Sequence, residues 1–330
     1  MQSVLQGYLG KVKLGRKQSH RNLAVFPLLS GYTTALDYMT LDEALAGGLI
    51  EVTEVSQGGA VPELKVVNKS PRMVLILDGE ELVGAKQNRI VNTTILIQAK
   101  STTVIPVSCV EQGRWHYRSP SFSSEERIMS PALRAMKAEH VSRSVRQSGT
   151  FRSDQGRIWE EISEKADRLA AESPTMAMAD IYEKERSSLS DYLKHFRPVE
   201  MQVGAVFLIN GKVVGLDSFG KPETLAQVFR KLVESYALDA VDWSEPGIEE
   251  RPSGAEVRTF LEVAHTSPVE SHSSVGLGTD CRMESERLAG FALVHEEQVL
   301  HLSVFARGNG SYEARHGSRM QRFSRRRGSR

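Results

Sequence analysis

Apolar positions in the first third of the chain fall in short runs rich in Val, Ile and Thr: 22–29 (NLAVFPLL), 49–55, 63–68 (ELKVVN), 72–77, 81–98 and 102–113. Clusters of Gly, Pro, Asn, Asp or Ser separate them, as turns separate strands. This spacing predicts an N-terminal antiparallel β-sandwich or barrel-like sheet over 20–118, with one short helix near 41–47 (LDEALAG). Asp78-Gly79 is a hairpin turn signal, so the stretch from Asp78 to Thr94 reads as a polar β-hairpin.

The period then changes. Ile158, Trp159, Ile162, Ala166, Leu169 and Ala170 recur at helical spacing, as do Met178, Ile181, Tyr182, Leu189, Tyr192 and Leu193, so 119–198 reads as mainly helical. Residues 118–156, rich in Ser, Arg and Gly, read as a long, partly ordered connection. In 199–305 both periods occur. Two apolar runs, 203–209 and 212–217, flank Asn210-Gly211, the strongest short hairpin signal. Helices over 223–238 and 254–265 follow, and then a strand pair, 287–294 and 299–305. Elements grouped by type favour an α+β fold, with C-terminal antiparallel strands packed against helices. The expected organisation is an N-terminal extension (1–19), one globular domain (20–305) and a basic disordered tail (306–330).

Composition narrows the class. The chain of 330 residues is 40% apolar and 25% charged, which suits a packed globular domain. No apolar run approaches the roughly 20 residues that span a bilayer, and the first residues lack a secretory pattern, so no membrane association and a cytoplasmic location are expected. Cys109 and Cys281 are too few for a disulfide framework and are expected as reduced thiols. The tail from 306 carries eight Arg against one acid, Glu313, so the net charge of +1 hides an acidic body. With Arg127, Arg134, Lys137, Arg143, Arg146 and Arg152 this raises the question of nucleic acid. Sparse aromatic interleaving argues for a solubilising tail instead.

Four segments could carry chemistry. DGEELVGAKQNRIVNTT (78–94) gathers Glu80, Glu81, Gln87 and Arg89; alternation puts Gln87 and Arg89 on one strand face, either solvated or lining a pocket where Arg89 would grip a phosphate or carboxylate. CVEQGRW (109–115) offers Glu111 as an acid, Arg114 as a cation and Trp115 as a stacking platform; the alternative is a salt-bridged strand end with Trp115 in the core. Cys109 has no placed base and reads as a buried thiol. In GLDSFGKPET (215–224), Asp217 precedes a helix opened by Pro222, where backbone amides could bind an anion, or Asp217 simply ends its strand. In VGLGTDCR (275–282), GLG is a fragment of a phosphate loop without its Lys-Ser/Thr pair, while Asp280 and Arg282 would share a strand face. His265, His272, His295 and His301 show no ligand spacing, and no metal site is assigned.

In this order the segments DGEELVGAKQNRIVNTT, CVEQGRW, GLDSF, VGLGTDCR and VLHLSVF resemble the domain family named for its association with ADP-ribosylglycohydrolases and the rhodanese/phosphatase superfamily, over roughly 20–305. The resemblance implies a link to NAD or ADP-ribose metabolism and carries over no catalytic residue. Within the matching segments, Glu80, Glu81, Glu111, Asp217 and Asp280 are candidates for acid/base or catalytic work; Gln87, Arg89, Arg114, Trp115 and Arg282 are candidates for holding a ligand. The leading expectation is a site for a nucleotide-like or other phosphorylated small molecule. Its rivals are a non-catalytic ligand-binding or scaffold protein with the same groups as an internal network, and nucleic-acid binding through the tail. No cofactor or protein partner is assigned.

Overall fold

The computed structural model describes residues 1–56, 58–244 and 253–307. In chain order the first elements are α1 (Gln2–Leu9), β1 (Lys13–Leu14), β2 (Gln18–His20), β3 (Leu23–Leu29), β4 (Tyr38–Thr40), α2 (Leu41–Ala46), β5 (Ile50–Glu54) and β6 (Glu63–Asn68). Then come β7 (Met73–Ile76), β8 (Glu80–Gly84), β9 (Arg89–Val91), β10 (Ile95–Ile97), β11 (Ser101–Cys109) and β12 (Phe122–Ile128). The middle holds α3 (Pro131–Ser148), α4 (Gln155–Arg168), α5 (Met178–Lys184) and α6 (Arg186–Leu193). The chain continues with β13 (Gln202–Ile209), β14 (Lys212–Phe219), α7 (Pro222–Asp242), α8 (Gly254–Thr266), β15 (Val269–Ser273), β16 (Thr279–Glu284), β17 (Leu288–His295) and β18 (Gln298–Ala306). The α+β expectation holds.

One sheet of nine strands runs β1-β3-β13-β14-β18-β17-β16-β15, with β2 paired on β3. Both of its faces are covered, which is why β3 and β13 read as continuous apolar runs. Leu23, Val25, Ala205, Phe207 and Ile209 face one core with the apolar stripe of α7 and with α4, α5 and α6. Ala24, Phe26, Leu28, Val206 and Leu208 face the other with α1 and α8. Asn210 and Gly211 both take positive φ (51° and 75°), the conformation that a two-residue hairpin needs.

Residues 2–9, read as part of an extension, form α1, which buries Leu5, Tyr8 and Leu9; the Tyr8 hydroxyl meets Ser218 Oγ at 2.5 Å and donates to the Phe219 carbonyl at 2.8 Å. At the other end, Ala306 closes β18 and Arg307 binds Glu139 and Glu284; the rest of the expected tail lies outside the described residues.

A second layer system holds the first third of the chain. The six-stranded sheet β12-β8-β9-β11-β6-β5 and the three-stranded sheet β10-β7-β4 enclose a separate aliphatic core that includes Val52, Leu64, Val66, Ile76, Leu82 and Ile105. Here the hairpin expectation needs correcting. Asp78-Gly79 does not join paired strands, because β7 pairs with β10 and β4 while β8 pairs with β9 and β12. The turn instead hands the chain from one sheet to the other, and the true hairpin is β8–β9, closed by 85–88. The run 81–98 is likewise three short strands; Glu81↔Ile90 and Leu82↔Arg89 are its cross-strand pairs.

The stretch 118–156 is also more ordered than its composition suggests. It holds β12 and the 18-residue α3, whose N-terminus carries Pro131 and whose end is closed by Gly149 in the left-handed conformation. The inward face of α3 includes Arg134 and Lys137, both buried, so the apolar periodicity that announces a helix is interrupted where the helix enters the molecule.

Candidate functional site

Glu80, Glu81, Gln87, Arg89, Glu111, Arg114, Asp217, Asp280 and Arg282 are all buried, whereas Trp115 is 46% exposed. They do not converge on one cavity. Five of them, Gln87, Arg89, Glu111, Arg114 and Trp115, meet at the turn end of β8–β9 beside β11.

At this corner Glu111 is held from all sides. Its Oε2 accepts from Arg114 Nη2 (2.7 Å) and from the Asn88 amide (3.0 Å), and its Oε1 accepts from Thr175 Oγ1 (3.0 Å). Burial alone would raise the Glu111 carboxyl, but these donors hold it below the usual carboxylate range. Arg114 also donates to the carbonyls of Gly84, Ala85 and His116 and to Asn88 Oδ1. The CVEQGRW segment therefore fastens the 85–88 turn rather than presenting a free acid.

Arg89 sits deeper and is less completely bonded. Its Nη1 donates to Gln87 Oε1 at 2.9 Å, but its Nε and Nη2 have no hydrogen-bond partner among the described residues. Its nearest anion is Glu54, at 4.0 Å, whose two carboxylate oxygens also lack hydrogen-bond donors among those residues. Above them lies Trp115, with Arg89 5.6 Å and Lys86 5.1 Å from its ring; Lys86 is also 5.2 Å from the ring of Tyr117. Glu54 was not legible as a site residue, because it ends an ordinary strand over 50–54.

A second network lies where the two sheet systems meet. Arg282 grips Asp280 with two hydrogen bonds, Nε to Oδ1 (2.5 Å) and Nη2 to Oδ2 (2.8 Å), and Thr93 Oγ1 donates to Asp280 Oδ2. Asp217 lies within β14, not after it, and accepts from Arg134 at both oxygens, from Tyr236 Oη (2.9 Å) and from His301 Nε2 (3.3 Å). Nothing there resembles an anion site at a helix start. Burial would raise Asp217, but Arg134 holds it well below the carboxylate range. Burial lowers His301, leaving the neutral ring hydrogen-bonded to Thr94 Oγ1 (2.7 Å) and stacked on Phe219.

Arg134 Nε reaches Asp78 Oδ2 (3.2 Å), and Lys137 bonds the other oxygen of Asp78. Arg134 and Lys137, read from sequence as part of a basic stretch, are thus internal cations, while Arg143, Arg146 and Arg152 are exposed. Polar residues at buried helical spacing, i and i+3, are the signal by which Arg134 and Lys137 could have been found.

Glu80 belongs to a third group, accepting from the Leu77 amide (2.7 Å) and bonding Lys231, which also bonds Asp42. Glu81 stands apart. Neither carboxylate oxygen has a hydrogen-bond partner among the described residues, and burial pushes its carboxyl up to about 7, partly offset by Arg127. Burial also raises the Glu80 carboxyl, with Lys231 opposing it, whereas Glu81 has no cation bonded to it among the described residues and is sealed in the interior.

The GLG segment is structural. A Cβ on Gly276 would lie 2.2 Å from the Leu96 carbonyl oxygen, and that same carbonyl accepts the Leu277 amide at 2.8 Å. Gly276 lets the chain from the large sheet lie against β10, and Gly278, at φ 94°, lies against the Val294 carbonyl of β17. Burial raises both thiols, Cys109 and Cys281, and both are free and buried. An open groove of about 180 Å³ runs along α3, lined in part by Met136, Arg143, Trp243, Phe305 and Arg307, and it includes none of the candidate residues.

No helix among the described residues is long and apolar enough to cross a membrane. Residues 11–305 match the family model described as ARG and Rhodanese-Phosphatase-superfamily-associated Protein domain. No curated protein and no solved structure matches the chain.

Proposed function

The chain belongs to the ARG and Rhodanese-Phosphatase-superfamily-associated Protein domain family, and from that premise we propose that it binds a nucleotide-like or other phosphorylated small molecule at the Arg89–Trp115 corner. The observation that carries this reading is the edge of Arg89 and the carboxylate of Glu54, both buried, 4.0 Å apart and without hydrogen-bond partners among the described residues. Buried charged groups without hydrogen bonds are rare in folded proteins and mark places where something else supplies the partner. The Nε–Nη2 edge of a guanidinium is the fork that takes two oxygens of a phosphate. Glu54 would accept from sugar hydroxyls, and the half-exposed indole of Trp115 offers a face for a base.

The ligand would enter by moving the side chains of Trp115 and Lys86, which close the corner from the solvent side. The association named in the family's description favours an ADP-ribose or NAD-type ligand within this class. A cytoplasmic setting is consistent with two thiols kept unpaired.

The proposal is for binding. Glu80, Glu111, Asp217 and Asp280 are each engaged by a cation, which ties them to holding the fold. A scaffold role for this second set is supported by how completely Arg134, Asp217 and Asp78 satisfy one another.

Calorimetric titration with ADP-ribose, NAD and inorganic phosphate is the test. Saturable heat with at least one of them is expected, lost in Arg89→Met and weakened about tenfold or more in Trp115→Ala, where roughly 1–3 kcal/mol of stacking is removed. No heat across the panel, or undiminished binding by both variants, would overturn the proposal.

A further inference from the structure

His20 ends β2, Asp191 lies in the last turn of α6 and His195 in the turn that follows it, so chain positions separated by more than 170 residues meet at one place. His20 Nε2 is 2.9 Å from Asp191 Oδ2. The rings of His20 and His195 are stacked, with centroids 3.7 Å apart and planes within 3°. One nitrogen from each ring and a carboxylate oxygen of Asp191 all lie within 4.8 Å of one another.

The second nitrogen of His195 decides what this cluster can do. Its Nδ1 lies 2.9 Å from the Asp191 backbone carbonyl, an acceptor only, so Nδ1 carries the proton and Nε2 presents a lone pair. That is the arrangement by which a metal-binding histidine is usually oriented, with its outer N–H fixed to a carbonyl.

We propose that His20, Asp191 and His195 form a binding site for a divalent transition-metal ion of the zinc class. Bonds of about 2.0–2.2 Å to imidazole and carboxylate place tetrahedral ligand atoms roughly 3.4 Å apart; because an imidazole lone pair lies in its ring plane, the two rings must leave their parallel stack to converge on one ion, a rotation open to the exposed His195. Two imidazoles and one carboxylate favour zinc and its neighbours over magnesium or calcium, which take all-oxygen sets. His195 is exposed, which leaves a fourth position for water.

Arg21 is the built-in competitor. Its Nη2 lies 2.9 Å from the same Asp191 oxygen, but its side chain is 58% exposed and can swing into solvent when a cation takes its place. The two segments are already tied together: Gln18 donates to the Arg197 carbonyl (2.8 Å) and accepts from its amide (2.9 Å). A metal ion would add a second clasp beside this pair.

The test uses the full chain, stripped with chelator and titrated with Zn²⁺ by calorimetry and with Co²⁺ by visible absorption. One saturable site is expected, with a Co²⁺ band of tetrahedral intensity. His195→Ala and Asp191→Asn should each weaken Zn²⁺ about tenfold or more, and Arg21→Ala should tighten it. Arg89→Met should bind the metal as the parent chain does, which separates this site from the ligand corner. The absence of saturable binding, or wild-type Zn²⁺ affinity in His195→Ala, would overturn the assignment.

Discussion

Arg134 joins the two sheet systems through Asp217: its Nη1 and Nη2 donate to the two oxygens of that carboxylate at 3.1 and 2.7 Å, while its Nε donates to Asp78 at 3.2 Å. Asp217 belongs to the nine-stranded sheet and Asp78 to the turn between the two smaller ones. A helix lying between them therefore supplies the charge that makes their burial tolerable. Removing one member of such a set leaves the others buried without compensation. Arg134→Met should lower unfolding free energy by about 3–5 kcal/mol, read as a fall in the urea midpoint. Stability equal to wild type would show that the network makes no net contribution.

Glu81 sets a pH dependence. Its carboxyl is raised to about 7 by burial, whereas an unfolded glutamate titrates near 4.3. Between those values the folded chain keeps a proton that the unfolded chain has released, so stability falls as pH rises through this window and the loss is complete above it. The full penalty is of order 3 kcal/mol. Glu81→Gln should therefore match wild type near pH 4 and exceed it near pH 8. Denaturation at the two pH values checks this, and equal stability at both would remove Glu81 from the account.

The two arginines of the candidate corner should behave differently. Arg114 satisfies three carbonyls, Asn88 and Glu111, so Arg114→Met strands several acceptors and should cost about 3–5 kcal/mol. Among the described residues the Arg89 side chain makes one hydrogen bond, to Gln87, and Arg89→Met should cost much less stability while abolishing ligand binding. Thermal melts of both variants beside calorimetric titrations separate a structural cation from a ligand-binding one. Equal destabilisation would place Arg89 with Arg114.

Gly276 tests the loop that resembles a phosphate-binding fragment. A methyl group there would collide with the Leu96 carbonyl oxygen, at 2.2 Å, and displace the chain that hydrogen-bonds to it. Gly276→Ala should cost about 1–3 kcal/mol through overpacking and leave ligand affinity unchanged in the folded protein. A loss of affinity without loss of stability would give the loop a binding role instead.

Much of this molecule was written in local pattern. The α+β class, the Asn210-Gly211 hairpin, the α7 stripe that begins at Leu225, and the shared face of Asp280 and Arg282 all follow from periodicity and turn chemistry, which act over a few residues. The family resemblance was legible for the same reason, in contiguous segments. What remained hidden depends on distant partners. Arg134 and Lys137 looked like solvated cations, because only Asp78 and Asp217, from other elements, make their burial possible. Asp78-Gly79 carried the local signal of a hairpin, but pairing with β10 and β4 drew β7 into a different sheet from β8. Trp115 was compatible with core or surface until the packing left it half exposed, and Glu54 became interesting only beneath it. His20 met His195 through the docking of α6 against β2. Local sequence set which elements form, whereas the pairing of buried charges from distant elements, which no spacing encodes, was decided when those elements packed.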